Sequence, residues 1–444
     1  MCFQSCRKYD ANGCQVIKSN IDLHGLLHLG RMSGGYFVTT LVNNAIPILV
    51  LPILTHYLAP EQFANVALFG FCLALSNALT GVSIPTVITK HFFDSDKKHI
   101  AKLIGNSLLI VLAFSMTTIL FIIITYPFIQ KYFNLSLSWL ILIPLASFAF
   151  IVFSMGLTVM RNEKKGLLFG KHQIGNTIIN VVISVVLVAF LVWGWQGRVL
   201  GIIISYFISA LLMYYYLKSN GYISFAISKR LIKSILSIVM PLLPNSFQAV
   251  IVSQIGIFFI QFYFSKELLG IYAVGFQVAF AIRLLSSTLA LSWSPYLYEQ
   301  LAETSAINRM YLTRMLWALI AVMFIGVVFI NILSGIILRI MVSANYRGAK
   351  EFIPWFTIGY FFQGLFVFLG PFLIKHEKQR YVSIVSVVNM ILMIVLNVCF
   401  VNIFGYMGIA YAFSIIYFLT FLAFAWKAQR VFPLPWLRAL KVWN

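Results

Sequence analysis

The sequence predicts an all-α, polytopic membrane protein of about twelve transmembrane helices arranged in two six-helix lobes. Three observations carry that prediction. The chain is 61% hydrophobic and only 10% charged, with a mean hydropathy of +0.94. Its apolar residues fall in blocks close to the ~20 residues that a bilayer-crossing helix needs, and 444 residues leave room for about a dozen. Twenty-five of the 32 Lys and Arg residues occupy every second connection between those blocks.

The blocks read as spans at 33–55, 63–88, 102–125, 139–160, 172–193, 199–217, 234–262, 270–295, 310–331, 352–374, 381–402 and 406–426. Lipid cannot hydrogen-bond an exposed backbone, so helices are the default. A β-barrel would show short alternating strands, whereas Leu108–Ile124 is almost wholly apolar. Residues 1–32 are polar and lack the apolar core of a secretory signal. They read as a cytoplasmic tail, with Met32 as an alternative start. Spans 1–6 make an N-terminal lobe (33–217), 218–233 an inter-lobe loop, and spans 7–12 a C-terminal lobe (234–428), leaving a tail at 429–444.

By the positive-inside rule, the connections rich in Lys and Arg are cytoplasmic, and with them both termini. The net charge of +21 is therefore mostly a topology signal. It is spread over short loops, which argues against a nucleic-acid partner. No connection reaches 35 residues, so none can fold into a soluble catalytic domain. No Gly-x-x-x-x-Gly-Lys-Ser/Thr run provides a built-in ATPase. Cys2, Cys6 and Cys14 lack metal-like spacing, Cys72 and Cys399 fall within spans, and no disulfide framework is expected. Neither an enzymatic centre nor a cofactor or metal site is read.

The chain echoes itself. His56-Tyr57-Leu58-Ala59-Pro60-Glu61 and Phe262-Tyr263-Phe264-Ser265-Lys266-Glu267 share Tyr and Glu at an offset of 206. Gly194-Trp195-Gln196-Gly197 matches Gly405-Tyr406-Met407-Gly408, and Arg161-Asn162-Glu163-Lys164 matches Lys375-His376-Glu377-Lys378. A six-plus-six duplication gives a parallel repeat, which places a cavity between the halves near the midplane. Spans 1 and 7 carry paired prolines, Pro47 and Pro52, and Pro241 and Pro244, beside the polar Asn43, Asn44, Asn245 and Gln248. Proline kinks a helix, so the four read either as gating kinks or as ordinary bundle packing.

Arg283 stands near the middle of the eighth span. A charge there costs at least ~2.5–3.5 kcal/mol on insertion scales, so it should face protein or water. Gly275, Ala279, Ser286, Ser287, Ala290 and Ser294 form a small stripe on its face, interrupted by Phe276 and Phe280. All eleven acids fall in loops or tails. Arg283 thus has no evident carboxylate at its depth. Either an anionic ligand completes it, for which a guanidinium is suited, or backbone carbonyls and waters do. The same lack of buried acids argues against a cation-coupled drug antiporter. Lys90, at the inner end of span 2, either snorkels to the interface or receives a phosphate there. Asp94-Ser95-Asp96 has an Asp-x-Asp form but reads as a solvated turn, and Gly166-Leu167-Leu168-Phe169-Gly170 is a weak packing motif.

The run Asn44-Ala45-Ile46-Pro47 through Leu51-Pro52-Ile53-Leu54-Thr55-His56-Tyr57-Leu58-Ala59-Pro60-Glu61-Gln62-Phe63 resembles bacterial polysaccharide-biosynthesis flippases. These are the O-antigen and lipid-linked oligosaccharide translocases of the multidrug/oligosaccharidyl-lipid/polysaccharide exporter superfamily. Lys90-His91-Phe92-Phe93 and Trp293-Ser294-Pro295-Tyr296 are also similar to family runs, while His56 stands where the family usually has Arg. The resemblance covers roughly Met32 to Gln429. It implies a MATE-like pair of lobes around a cationic cavity in the bacterial inner membrane. It further implies alternating-access transport of an undecaprenyl-diphosphate-linked oligosaccharide, such as an O-antigen or lipopolysaccharide unit, to the outer leaflet. Arg283, Ser287, Lys90, Asn44, Asn245 and Gln248 would line the substrate path. Membrane lipids, a polysaccharide polymerase and a chain-length regulator would be its partners. The competing readings are a small-molecule antiporter of the same fold and an integral-membrane polymerase or ligase, for which the outer segment 332–351 offers thin support.

Overall fold

A computed structural model describes residues 46, 50–81, 83–133, 135–301 and 306–440. Every regular element among them is helical. Of the first expected span, residues 50–57 are described as helix α1. The chain continues through α2 (Pro60–Thr80), α3 (Ile84–Phe92), α4 (Lys97–Phe133), α5 (Leu137–Asn162), α6 (Gly166–Val185) and α7 (Gly194–Ser219). The second half runs through α8 (Lys229–Tyr263), α9 (Lys266–Gln300), α10 (Ala306–Met341), α11 (Ile353–Lys375), α12 (Gln379–Phe404), α13 (Met407–Val431) and a short α14 (Trp436–Leu440). Among the described residues, eleven helices are long and apolar enough to cross a membrane: α2 and α4–α13.

Two expectations need correction. The span read at 63–88 is not continuous. Gly81 ends α2 at φ +122°, a conformation that favours glycine, and Pro85 opens α3, where its missing N–H costs nothing. Arg198, in the connection left between the spans read at 172–193 and 199–217, lies inside α7, in its second turn.

The sequence echoes have structural counterparts. Pro60 and Lys266 are the first residues of α2 and α9. Gly194 and Gly405 both take a positive φ, +59° and +60°. The third echo holds with its register moved by one residue. Lys164 and Glu377 are the left-handed residues, and the backbone N–H groups of Lys165 and Lys378 reach back to Met160 and Leu373, both at 2.9 Å. Glu163 therefore corresponds to His376.

Packing repeats in the same way. In the first half α5 packs on α2, α4 and α7, and α6 packs on α7; in the second, α11 packs on α9, α10 and α13, and α12 packs on α13. This pairs α4 with α10, α5 with α11 and α7 with α13. One helix crosses between the bundles. Ile235 and Val239 of α8 are fully buried in the core of the first half, whereas Val252, Ile255 and Phe259 belong to the core of the second. Pro241 and Pro244 fall at that crossing, and α8 remains helical through both.

The bundles meet most visibly at the end opposite the Lys-rich and Arg-rich loops. Tyr346 donates to the Leu58 carbonyl (2.8 Å), Thr55 to Met341 (3.3 Å) and the Lys266 ammonium to Asn65 (3.2 Å). Gln261 donates to the Tyr132 carbonyl at 2.9 Å, and Phe63 packs edge-on to Tyr346. A Ser83–Ser246 contact (3.2 Å) lies deeper.

Candidate functional site

Arg283 is the midpoint of the 35-residue α9. It is half-buried. Its guanidinium carbon lies 5.4 Å from the Phe280 ring centroid, so the ring face offers its negative quadrupole to the charge. It also interacts electrostatically with the hydroxyls of Tyr360 on α11 and Tyr417 on α13. Tyr360 is fully buried, and its hydroxyl makes no well-formed hydrogen bond. Phe413 stacks edge-on to both tyrosines. Among the described residues the ion pair found is Glu163–Lys165, at 3.1 Å, so no carboxylate neutralises Arg283 there.

Tyr417 joins this cation to a cavity of about 390 Å³. The cavity lies between α8, α9, α11, α12 and α13. Its polar lining comes from Gln248, Ser294, Tyr298, Ser386, Asn389, Tyr417 and Thr420. Asn389 and Thr420 hold each other at 2.7 Å across α12 and α13. Pro371 and Ile374 near the end of α11 and Val382 near the start of α12 also line it. The cavity thus extends from the basic end of the second bundle toward the midplane, where Tyr417 lies within electrostatic range of Arg283. Oxygen and amide groups over an otherwise apolar wall suit a ligand with hydroxyls, and the guanidinium suits an anionic group.

Of the residues read from sequence, Gln248 lines this cavity, whereas Arg283 is not on its wall and is linked to it only through the charge interaction with Tyr417. Ser287 is exposed, donates to the Leu284 carbonyl, and does not line this cavity. Of the small stripe, Gly275, Ala279 and Ser286 instead pack against other helices, with a Cβ on Gly275 only 3.0 Å from the Ala349 carbonyl. Ser294 does reach the cavity. Asn245 and Lys90 are exposed, on α8 and at the end of α3. Pro52 lies in α1 and is half-buried. Asn44 and Pro47 fall outside the described residues. Sequence reading missed Phe280, Tyr360 and Tyr417 as partners of the cation. The aromatic spacing Phe356–Tyr360 and Phe413–Tyr417, one turn apart on each helix, was the available signal.

A second embedded cation was also missed. Arg198 donates to Asn180 and, at 2.7 Å, to Ser184 on α6, while Asn180 donates to Ser205 at 3.3 Å. Among the described residues, no group of three His, Cys, Asp or Glu side chains could hold a metal ion.

These features define a multi-pass membrane protein of two repeated helical bundles with a cationic, partly polar interior. The polysaccharide biosynthesis protein family matches residues 30–301, and the chain belongs to that family. Two proteins of Haemophilus influenzae are similar to it. An uncharacterized membrane protein is 23% identical over 373 residues, covering 82% of this chain and 88% of its own. The Lsg locus putative protein 1 is 23% identical over 411 residues, covering 87% and 96%. Among solved structures, the fold is similar to an inward-facing MATE-family multidrug resistance transporter of the MOP superfamily (TM-score 0.70, 14% identity, 90% and 96% covered). The outward-facing form of such a transporter gives 0.60 at 15% identity, with the same coverage. The lipid II flippase MurJ in an inward closed conformation gives 0.66 (15% identity, 91% and 90% covered).

Proposed function

We propose that the protein is a flippase that moves a polyprenyl-diphosphate-linked oligosaccharide from the inner to the outer leaflet of a bacterial cytoplasmic membrane. The observation that carries this reading is Arg283, a cation at mid-helix with aromatic partners, no acid beside it among the described residues, and a hydroxyl-lined cavity leading to it from the basic end. The diphosphate engages Arg283, the sugars occupy the cavity near Gln248, Asn389 and Thr420, and the prenyl tail stays in lipid. The lobes are 33–217 and 234–428, with both termini cytoplasmic. Membership of a polysaccharide biosynthesis family supports the cargo class. The contacts at the outer end, and the greater likeness to an inward-facing relative, support a resting state open to the cytoplasm. An interior-negative potential favours outward movement of negative charge by ~2.3 kcal/mol per charge per 100 mV, without a titrating carboxylate.

A small-molecule antiporter is the second reading, favoured by the likeness to the MATE fold. Both are tested in a deletion strain. Arg283→Ala should abolish surface polysaccharide at wild-type expression, with lipid-linked units trapped on the cytoplasmic leaflet. Arg283→Lys should restore part of the transport at most, because it lacks bidentate geometry. Full polysaccharide export by Arg283→Ala would remove the assignment. Drug sensitivity of the deletion with normal polysaccharide would support the antiporter instead.

A further inference from the structure

Two apolar clefts of similar size lie away from the Arg283 cavity, one in each bundle. The first, about 340 Å³, is formed by α4, α5 and α7, with Leu108, Leu112, Ala149 and Leu211 on its walls and Phe225 at one end. The second, about 310 Å³, is formed by α10, α11 and α13, with Leu316, Ile320, Leu369 and Phe421 on its walls and Trp436 at one end. The helix correspondence makes these the same place in the two halves. Even the closing aromatics correspond, since each comes from the segment that follows the last helix of its bundle.

Both closing segments are fastened by a side-chain amide. Asn106 donates to the Ala226 carbonyl and accepts from the Ser228 N–H, at 3.0 and 3.1 Å. Gln429 accepts from the Trp436 indole and the Leu434 N–H, also at 3.0 and 3.1 Å. The first cleft is open to the membrane, since its lip residues Leu112, Leu211 and Phe225 are 41%, 69% and 55% exposed.

We infer that each cleft seats an acyl chain of an anionic phospholipid from the leaflet on the basic side. Charge decides the lipid class. Lys102 stands two turns before Leu109 on the same face of α4, and Lys218 stands one turn beyond Tyr214 on α7. Arg309 is placed likewise two turns before Leu316 on α10, stacked 4.7 Å from the Phe432 ring. The nearby acid Glu163 is already engaged by Tyr216, Tyr222 and Lys165. An apolar slot, an aromatic at the interface and cations without a carboxylate partner among the described residues suit a chain in the slot and a negative headgroup on the cations. Aligning one lipid against each bundle would anchor both during rocking.

The test uses the full-length protein in phosphatidylcholine nanodiscs with a trace of phosphatidylglycerol carrying a photoreactive acyl chain. Crosslinks should map to 108–112 and 207–214 in α4 and α7, and to 316–320 and 421–425 in α10 and α13. Unlabelled phosphatidylglycerol should displace the probe, and phosphatidylcholine should not. Lys102→Gln with Lys218→Gln should lower labelling of the first cleft severalfold and leave the second unchanged. Leu211→Trp, an exposed lip substitution that spares the core, should block the first cleft sterically. Labelling spread over all lipid-facing helices, or equal competition by phosphatidylcholine, would overturn the inference. Displacement by polyprenyl diphosphate alone would overturn it too, assigning the clefts to a prenyl tail while leaving the Arg283 reading intact.

Discussion

Glu163 shows how a single acid is used in a chain that has few. Burial works to raise its pKa, but hydrogen bonds from Tyr216, Tyr222 and Lys165, with the Lys165 charge, outweigh it and hold the carboxyl below its usual range. The ionised form therefore ties the end of α5 to the end of α7 and to the segment that closes the first apolar cleft. Because the folded value is depressed, this stabilisation is present above the unfolded pKa near 4.5 and is lost as pH falls below it. Glu163→Gln should lower thermal stability in detergent at pH 7 by about 2 kcal/mol, the scale of a hydrogen bond to a charged group. The gap to wild type should close as the pH drops below the unfolded value. A constant gap across that range would mean that the charge is not what matters. Arg283 was legible in the sequence because every acid could be assigned to a loop. Its partners were not, because Tyr360 and Tyr417 arrive from distant helices. Arg198 was misread for a local reason: Gly194 and Gly197 look like loop residues, yet Gly194 makes the left-handed turn that starts α7.

At the scale of elements, apolar blocks located the spans well because length and hydropathy are what a bilayer selects. They could not reveal the break between α2 and α3, since both sides are apolar and only Gly81 and Pro85 mark it. Nor could they show that α8 begins in one core and ends in the other. Close approach is likewise invisible to hydropathy. A Cβ at Gly270, in the first turns of α9, would fall against the Pro60 carbonyl, at the start of α2. The obstacle is backbone, so it cannot rotate away. Gly270→Val should destabilise the protein by about 1–3 kcal/mol, as overpacking does. It should also weaken the outer junction, read as greater labelling of a cysteine placed at Ala64, which is buried. Gly175, with nothing within 4 Å of its added Cβ, is the control, and Gly175→Ala should be neutral.

For the whole molecule, the proposed flippase cycle makes the junction opposite the basic loops the gate on that side. Alternating access requires Tyr346–Leu58, Thr55–Met341 and Lys266–Asn65 to separate in every cycle, while the opposite ends close. Alongside the deeper Ser83–Ser246 contact and the crossing helix α8, these contacts join the lobes; on the proposed cycle, cargo enters from the basic side and leaves when the outer contacts break. Hydrogen bonds of this kind are each worth about 1 kcal/mol net, weak enough for cargo binding to offset. A covalent bond there is not. Asn65→Cys with Lys266→Cys, in a background lacking the native cysteines, should react with a short cleavable bis-methanethiosulfonate. The crosslinked protein should still bind cargo offered from the cytoplasmic side and should stop transporting it, and reduction should restore transport. Continued transport with the crosslink intact would mean that cargo passes without separation of the outer ends. Arg283 would then line a fixed groove rather than a cavity opened to each side in turn.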